Sequence, residues 1–442
     1  MQQFSGGLAL GVKENGTFGD VNEHPRSKLR DINPSFGQFI RRKRREISPD
    51  EIELSGRENF RYFRGAWTMT HNTRFSWRNA LGWLLGLVML LGLAACVQVG
   101  EGGGGVARPA RQLVYPPPPD EPRFIYERMI RGDKDVIPDT KDDAMKRLLT
   151  GDQPLVGIGM RKPYAVAVHQ GRIFVSDTAA RVVRAFDVPE KRYFEIGQDE
   201  SAPTTERLNK PIGITVDGAG NLYIADATAK AIMVYSRNGQ FLRKIGGPSF
   251  FDRLASLKVD KKGERVYAVD IGGISSDNHR IRVFNAKNGQ HLFDFGKRGT
   301  GTGEFNLPRD IAIGKDKLYV VDGGNFRIQI FDMEGKFLQT FGQIGKLMGS
   351  FGRPKEADTD ADGNLYVIDA AFGNFQIFNP QGELLMFVGE RADQNGPGRF
   401  NLPSGITVDE DGRVYVVDQI FKKVDVFRPY KLGEHDGYLG KY

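Results

Sequence analysis

An all-β fold made of six copies of one sheet is what this sequence predicts, on three observations. An aromatic-x-x-Asp unit recurs as Phe174/Asp177, Tyr223/Asp226, Tyr267/Asp270, Tyr319/Asp322, Tyr366/Asp369 and Tyr415/Asp418, its aspartates 49, 44, 52, 47 and 49 residues apart. Each copy carries short alternating apolar runs, as in Pro211-Ile212-Gly213-Ile214-Thr215-Val216-Asp217, the pattern of half-buried strands. Glycine reaches 55 of 442 residues and punctuates those runs, as at Asp411-Gly412 and Gly335. Four short strands in a repeat of about 40–50 residues make one blade of a β-propeller, so the predicted architecture is a six-bladed β-propeller.

Residues 1–68 precede Met69 and are expected to be an over-extended or disordered leader. Its run Arg41-Arg42-Lys43-Arg44-Arg45 offers one alternative, a cytoplasmic arm for nucleic acid or anionic lipid, but charge runs are usually solvated segments. Residues 69–95 have the layout of a secretory signal peptide. Arg74 and Arg78 come first, residues 79–100 hold no charge, and small residues close the stretch. That end, Leu93-Ala94-Ala95-Cys96, resembles the bacterial lipobox and uses the chain's single cysteine. The resemblance implies lipidation of Cys96, and Val97 in place of Asp implies an outer-membrane address. An uncleaved transmembrane anchor is the alternative, since the 22 uncharged residues could span a bilayer. Both readings place the remaining chain outside the cytoplasm, because the arginines stay inside.

Residues 96–122 read as a lipid-anchored tether, flexible at Gly102–Gly105 and stiff at Pro116–Pro119. Residues 123–442 then form the propeller. Its sixth repeat runs out one strand short after Val424-Asp425-Val426-Phe427-Arg428-Pro429. Residues 123–131, including Phe124-Ile125-Tyr126, have the look of the missing strand and would close blade 6 from the other terminus. Residues 140–150, with Met145, Leu148 and Leu149, are expected to form a short helix on one face.

The repeats resemble the NHL family, whose pattern Pro-x-Gly-Ile-x-Val-Asp, Gly-Asn-Leu-Tyr-Val-x-Asp and Arg-Ile-x-x-Phe is followed closely in blades 2, 4 and 6. The family's arginine stands at Arg280 and Arg327, with Lys423 in blade 6. Val182, Ala231 and Asn374 replace it elsewhere, and blade 3 lacks the leading proline. The resemblance covers about residues 160–429. It implies the fold and says little about function.

Alternation points Ile214/Val216, Ile311/Ile313 and Ile406/Val408 between blades and turns the intervening residues to a central channel. One predicted ring is Ala165, Gly213, Ser256, Asp310, Glu356 and Gly405; the next is Ala167, Thr215, Lys258, Ala312, Asp358 and Thr407. Three acids, Asp310, Glu356 and Asp358, would converge with Lys258 opposite as counter-charge. That is a candidate ligand or divalent-cation site, set against a plain water-filled polar channel. Asp358, Asp360, Asp362, Gly363 and Asp369 match an EF-hand loop in spacing, but the same frame recurs without the acids, so a hairpin turn is expected. The six repeated aspartates are expected to accept backbone N–H bonds at strand ends.

One cysteine excludes a disulfide framework, a zinc ribbon, an iron–sulfur cluster and a haem attachment site. The six histidines are scattered, and no nucleophile–base set stands out. Of the net charge of +7, residues 1–120 carry 16 basic and 11 acidic side chains, whereas residues 121–442 carry 46 and 44. The near-neutral blade region argues against a phosphate-binding surface and a nucleic-acid partner. The expected function is therefore a non-catalytic binding or scaffold module, anchored to membrane by lipid and serving a protein partner in the envelope. Its varied loops, Gln198 to Lys210 and Gly389 to Pro403 with Arg391, Asp393, Arg399 and Phe400, would carry recognition. The alternative is a metal-dependent enzyme, lactonase- or lyase-like, or a cation-dependent binder on the channel acids.

Overall fold

The computed structural model describes residues 112–137, 140–150, 157–273 and 276–440. The signal segment, Cys96 and residues 1–68 lie outside the described residues.

Six antiparallel sheets follow one another along the chain, each ordered from channel to rim. The inner strands are Pro163–His169, Pro211–Val216, Leu254–Val259, Pro308–Gly314, Pro354–Thr359 and Pro403–Val408. Blade 4 is a complete example, with Lys317–Asp322, Arg327–Asp332 and Phe337–Phe341 outside its inner strand. Every inner strand slips register just after its first residue, as between Pro308 and Asp310. In five of the six a leading proline gives no N–H to the ladder, and in all of them the bulge re-aims the residues that follow it.

Blade 6 takes its outer strand from the other end of the described chain. Phe124–Ile130 pairs antiparallel with Lys423–Pro429, so the ring closes without leaving that edge open. The segment read as a free spacer departs from expectation at its end. Val114–Tyr115 adds a fifth strand outside Phe124 and Ile125, and Tyr115 packs edge-on against Phe427 at 5.7 Å. Gly398, at φ +65°, leaves the space that the Tyr115 hydroxyl occupies.

The core is divided into six apolar clusters, one between each pair of neighbouring blades. Ile214 with Val216, Ile311 with Ile313 and Ile406 with Val408 sit in three of them, as alternation requires. Helix Lys141–Thr150 forms, with Met145, Leu148 and Leu149 exposed rather than buried against the propeller.

Candidate functional site

The repeated aspartates build the frame around the channel. All six are fully buried. Asp418 shows their work: it accepts N–H bonds from Asn401, Leu402, Ile420 and Phe421 at 2.7–2.9 Å, tying the chain entering the blade to its second turn. Asp177, Asp226 and Asp369 do the same in their own blades. The acid-rich loop of blade 5 is a turn. Asp360 accepts from the Asn364 backbone and amide and from the Tyr366 hydroxyl, while Asp369 faces the opposite strand end. Asp217 makes the same turn in blade 2.

The predicted rings exist, and their neighbours touch. A Cβ on Gly213 would lie 2.6 Å from the Ser256 Oγ, and one on Gly405 would lie 2.8 Å from the Ala165 Cα. In the first ring, the Ser256 hydroxyl donates to Asp310 at 2.6 Å, and the Ala357 N–H donates to its other oxygen at 2.9 Å. Burial nevertheless pushes the Asp310 carboxyl up to about 6. Burial, reinforced by the Asp310 charge, pushes Glu356 well above the usual range. In the second ring, the Lys258 ammonium reaches past blade 4 to Asp358 at 2.6 Å. The other Asp358 oxygen accepts from the Thr407 hydroxyl at 2.7 Å and the Val408 N–H at 3.1 Å.

The three acids therefore do not converge as expected. Asp358 is committed to Lys258 and blade 6, leaving Asp310 and Glu356 as a pair. Among the described residues, no group of three or more His, Cys, Asp or Glu side chains comes together to hold a metal ion.

The channel widens on one side of these rings. At the end where the inner strands finish, a cavity of about 840 Å³ is lined by His169, Asp217, Lys258, Asp358, Asp409 and Tyr438 among others. His169 is buried there; one ring nitrogen lies 3.3 Å from the Gly218 carbonyl, and Nδ1 has no hydrogen-bond partner.

At the end where the inner strands begin, blades 3, 4 and 5 carry Arg253, Arg309, Arg353 and Lys355, with Tyr164 on blade 1. Burial and then the Arg353 and Arg309 charges pull the Lys355 ammonium down to about 8. Burial, Arg253 and Arg353 likewise lower Arg309. Burial and then the nearby Glu356 charge push the Tyr164 phenol up to about 12. Sequence reading passed over this cluster because a near-zero sum hides it. Its signal was present in Pro308-Arg309 and Pro354-Lys355, neighbours at one register position.

The loops expected to carry recognition are braced, with Arg391, Asp393 and Arg399 exposed. Phe400 is fully buried in the core between blades 5 and 6. Glu390–Arg391 pairs in parallel with Arg399–Phe400, and Arg399 is bonded to Glu390 at 3.0 Å. In the other loop, Arg207 folds back on the Ala202 carbonyl.

The DUF5128 family model, described as a 6-bladed beta-propeller, matches residues 273–342. NHL repeat-containing protein 3 of Mus musculus is 27% identical over 190 residues, 39% of this chain and 52% of that protein. The B-box type zinc finger protein ncl-1 of Caenorhabditis elegans is 31% identical over 136 residues, 30% of this chain and 15% of that protein. The chain thus spans from a seventh to about half the length of these curated relatives. Among solved structures, the XC5397 gluconolactonase from Xanthomonas campestris aligns with 61% of this chain and 86% of its own, at TM-score 0.45 and 15% identity. A selenomethionine-substituted virginiamycin B lyase from Staphylococcus aureus aligns with 61% of this chain and 95% of its own, at TM-score 0.44 and 13% identity. Blade count and strand order make this chain a six-bladed β-propeller, and its repeats are similar to those of NHL repeat-containing proteins.

Proposed function

We propose that this chain is a non-catalytic binding propeller, held outside the cytoplasm by lipid on Cys96, whose ligand is a protein of the cell envelope. One observation carries the reading: a patch of large apolar side chains at the rim of blade 5. The connection from blade 4 to blade 5 exposes Ile344 by 68% and Leu347 by 79%. It is pinned to blade 5, where the Gly349 N–H donates to the Gln376 side chain at 2.6 Å and that side chain donates to the Ser350 carbonyl. The neighbouring outer strand, Leu384–Val388, exposes Leu384, Leu385 and Phe387. Scattered exposed leucines are ordinary, whereas a cluster on a rigid frame is what protein partners cover.

The enzyme reading keeps the buried Asp310–Glu356 pair on its side. It stands second because that pair has no third ligand or imidazole beside it among the described residues.

Crosslinking in intact envelopes of cells fed a palmitate analogue tests binding and address together. The wild type is expected to carry the label and one dominant crosslinked partner. Leu347→Glu/Phe387→Glu should keep the label and lose the partner; Cys96→Ala should lose the label. The same crosslinks from wild type and double variant would end the binding reading, and equal labelling of Cys96→Ala would end the anchor.

A further inference from the structure

The mouth of the channel where the inner strands begin is the strongest unabsorbed feature. Arg253, Arg353, Arg309 and Lys355 stand on three consecutive blades, at or beside the first residues of their inner strands. Two of them are fixed by the frame, since the Arg253 and Arg353 N–H groups each donate to the repeated aspartate of their blade at 3.0 Å. Arg309 has room because blade 4 alone carries glycine after its repeated aspartate: a Cβ on Gly323 would sit 2.6 Å from the Arg309 Cγ. The other blades carry Thr178, Ala227, Ile271, Ala370 and Gln419 there.

None of the four cationic side chains has an ion pair or hydrogen bond among the described residues. The acids around them are engaged elsewhere. Asp252 accepts from Ser276 and Asn278, both at 2.9 Å. Asp418 is given to four backbone N–H groups. Glu356 is buried and held toward its neutral form. Four like charges gathered with no ion pair among them repel one another, and that repulsion is relieved by a bound anion. Burial lowers Lys355 and Arg309, and the neighbouring cationic charges add to it.

We propose that Arg253, Arg309, Arg353 and Lys355 form a binding site for a compact anion with two or more negative charges, a phosphate ester or a di- or tricarboxylate. Guanidinium forks suit the paired oxygens of either group, and three arginines on separate blades can surround it. This goes beyond the protein-binding reading and uses none of the residues at the blade 5 rim.

Titration calorimetry on the full detergent-solubilised chain tests it, with pyrophosphate and citrate as probes and acetate as the monovalent control. At about 0.15 M salt, where weak surface attraction is screened, one of the two probes should bind saturably and acetate at least about tenfold more weakly. Which probe binds more tightly assigns the site to phosphate or to carboxylate. Arg309→Gln/Lys355→Met should weaken binding by about tenfold or more. Gly323→Ala removes no charge but intrudes on Arg309, and should weaken it too. Lys261→Gln/Lys262→Gln, which removes equal charge at the opposite mouth, should bind as the wild type does. Melting curves confirm that each variant is folded. No saturable heat with either probe up to about 10 mM, or an equal loss in the Lys261/Lys262 control, would overturn the proposal.

Discussion

Lys258 and Asp358 show how a charged side chain is accommodated inside this channel, by a partner that answers it. Their contact of 2.6 Å joins blade 3 to blade 5, with the Lys258 side chain a fifth exposed and that of Asp358 at 8%. Lys258→Met would leave Asp358 buried with only Thr407 and the Val408 N–H to satisfy it. A fully buried pair broken on one side costs about 3–5 kcal/mol; partial exposure of Lys258 brings the expected loss to about 2 kcal/mol. Lys258→Met/Asp358→Asn should recover part of that, because the unanswered charge is gone. Urea unfolding of all four members of the cycle measures the coupling. The sequence named these residues as facing one channel, since alternation alone decides which way a strand residue points. It did not say which carboxylate the lysine would choose. Asp310 and Asp358 lie on neighbouring blades, and their partners were settled by the reach of one side chain past Ala312.

Among the elements, Phe124–Ile130 bears the heaviest duty, because it turns an open array of sheets into a ring. It buries Phe124, Ile125 and Ile130, bonds the Tyr126 hydroxyl to Asp425 at 3.2 Å and sets Glu127 against the fully buried Arg413 at 2.8 Å. The three apolar side chains alone are worth about 6 kcal/mol at roughly 2 kcal/mol each, before the edge of Lys423–Pro429 is exposed to solvent. A chain starting after residue 131 is therefore expected to lose its cooperative melt and to associate through that edge. Circular dichroism and size-exclusion chromatography would register both, and a peptide of residues 112–131 added in trans should restore the melt. The strand was legible as an orphan: blade 6 lacked one strand and an apolar run stood unclaimed upstream. The two-residue strand Val114–Tyr115 was not, because four prolines beside it read as a spacer, and its place depends on the space left by Gly398.

Across the whole molecule, carboxyls in separate blades share one consequence. Burial raises Asp310 to about 6 and Asp409 to about 7, both from an ordinary 3.8. Between those limits the folded chain holds protons that the unfolded chain has released, so stability is full below about pH 4 for these groups and declines as pH rises to about 7. For Asp310 alone the decline is on the order of 3 kcal/mol. Melting temperature should accordingly fall from about pH 5 to about pH 7.5, and Asp310→Asn should melt lower at acid pH yet with a shallower slope; a profile that rises over this window contradicts the assignment. What the sequence determined by itself is the periodic part of this protein: six blades, the strand faces, the turn aspartates and the missing strand of blade 6. Those follow from spacing and alternation, which are local and repeat. What only the tertiary structure decided is where the exceptions meet. Arg253, Arg309, Arg353 and Lys355 are spread over about a hundred residues of near-neutral sequence, and closing the ring brings them to one mouth while sending Asp358 to Lys258. Charge summed along a chain cannot report charge gathered in space, because the Coulomb interaction depends on distances that only the closed ring sets.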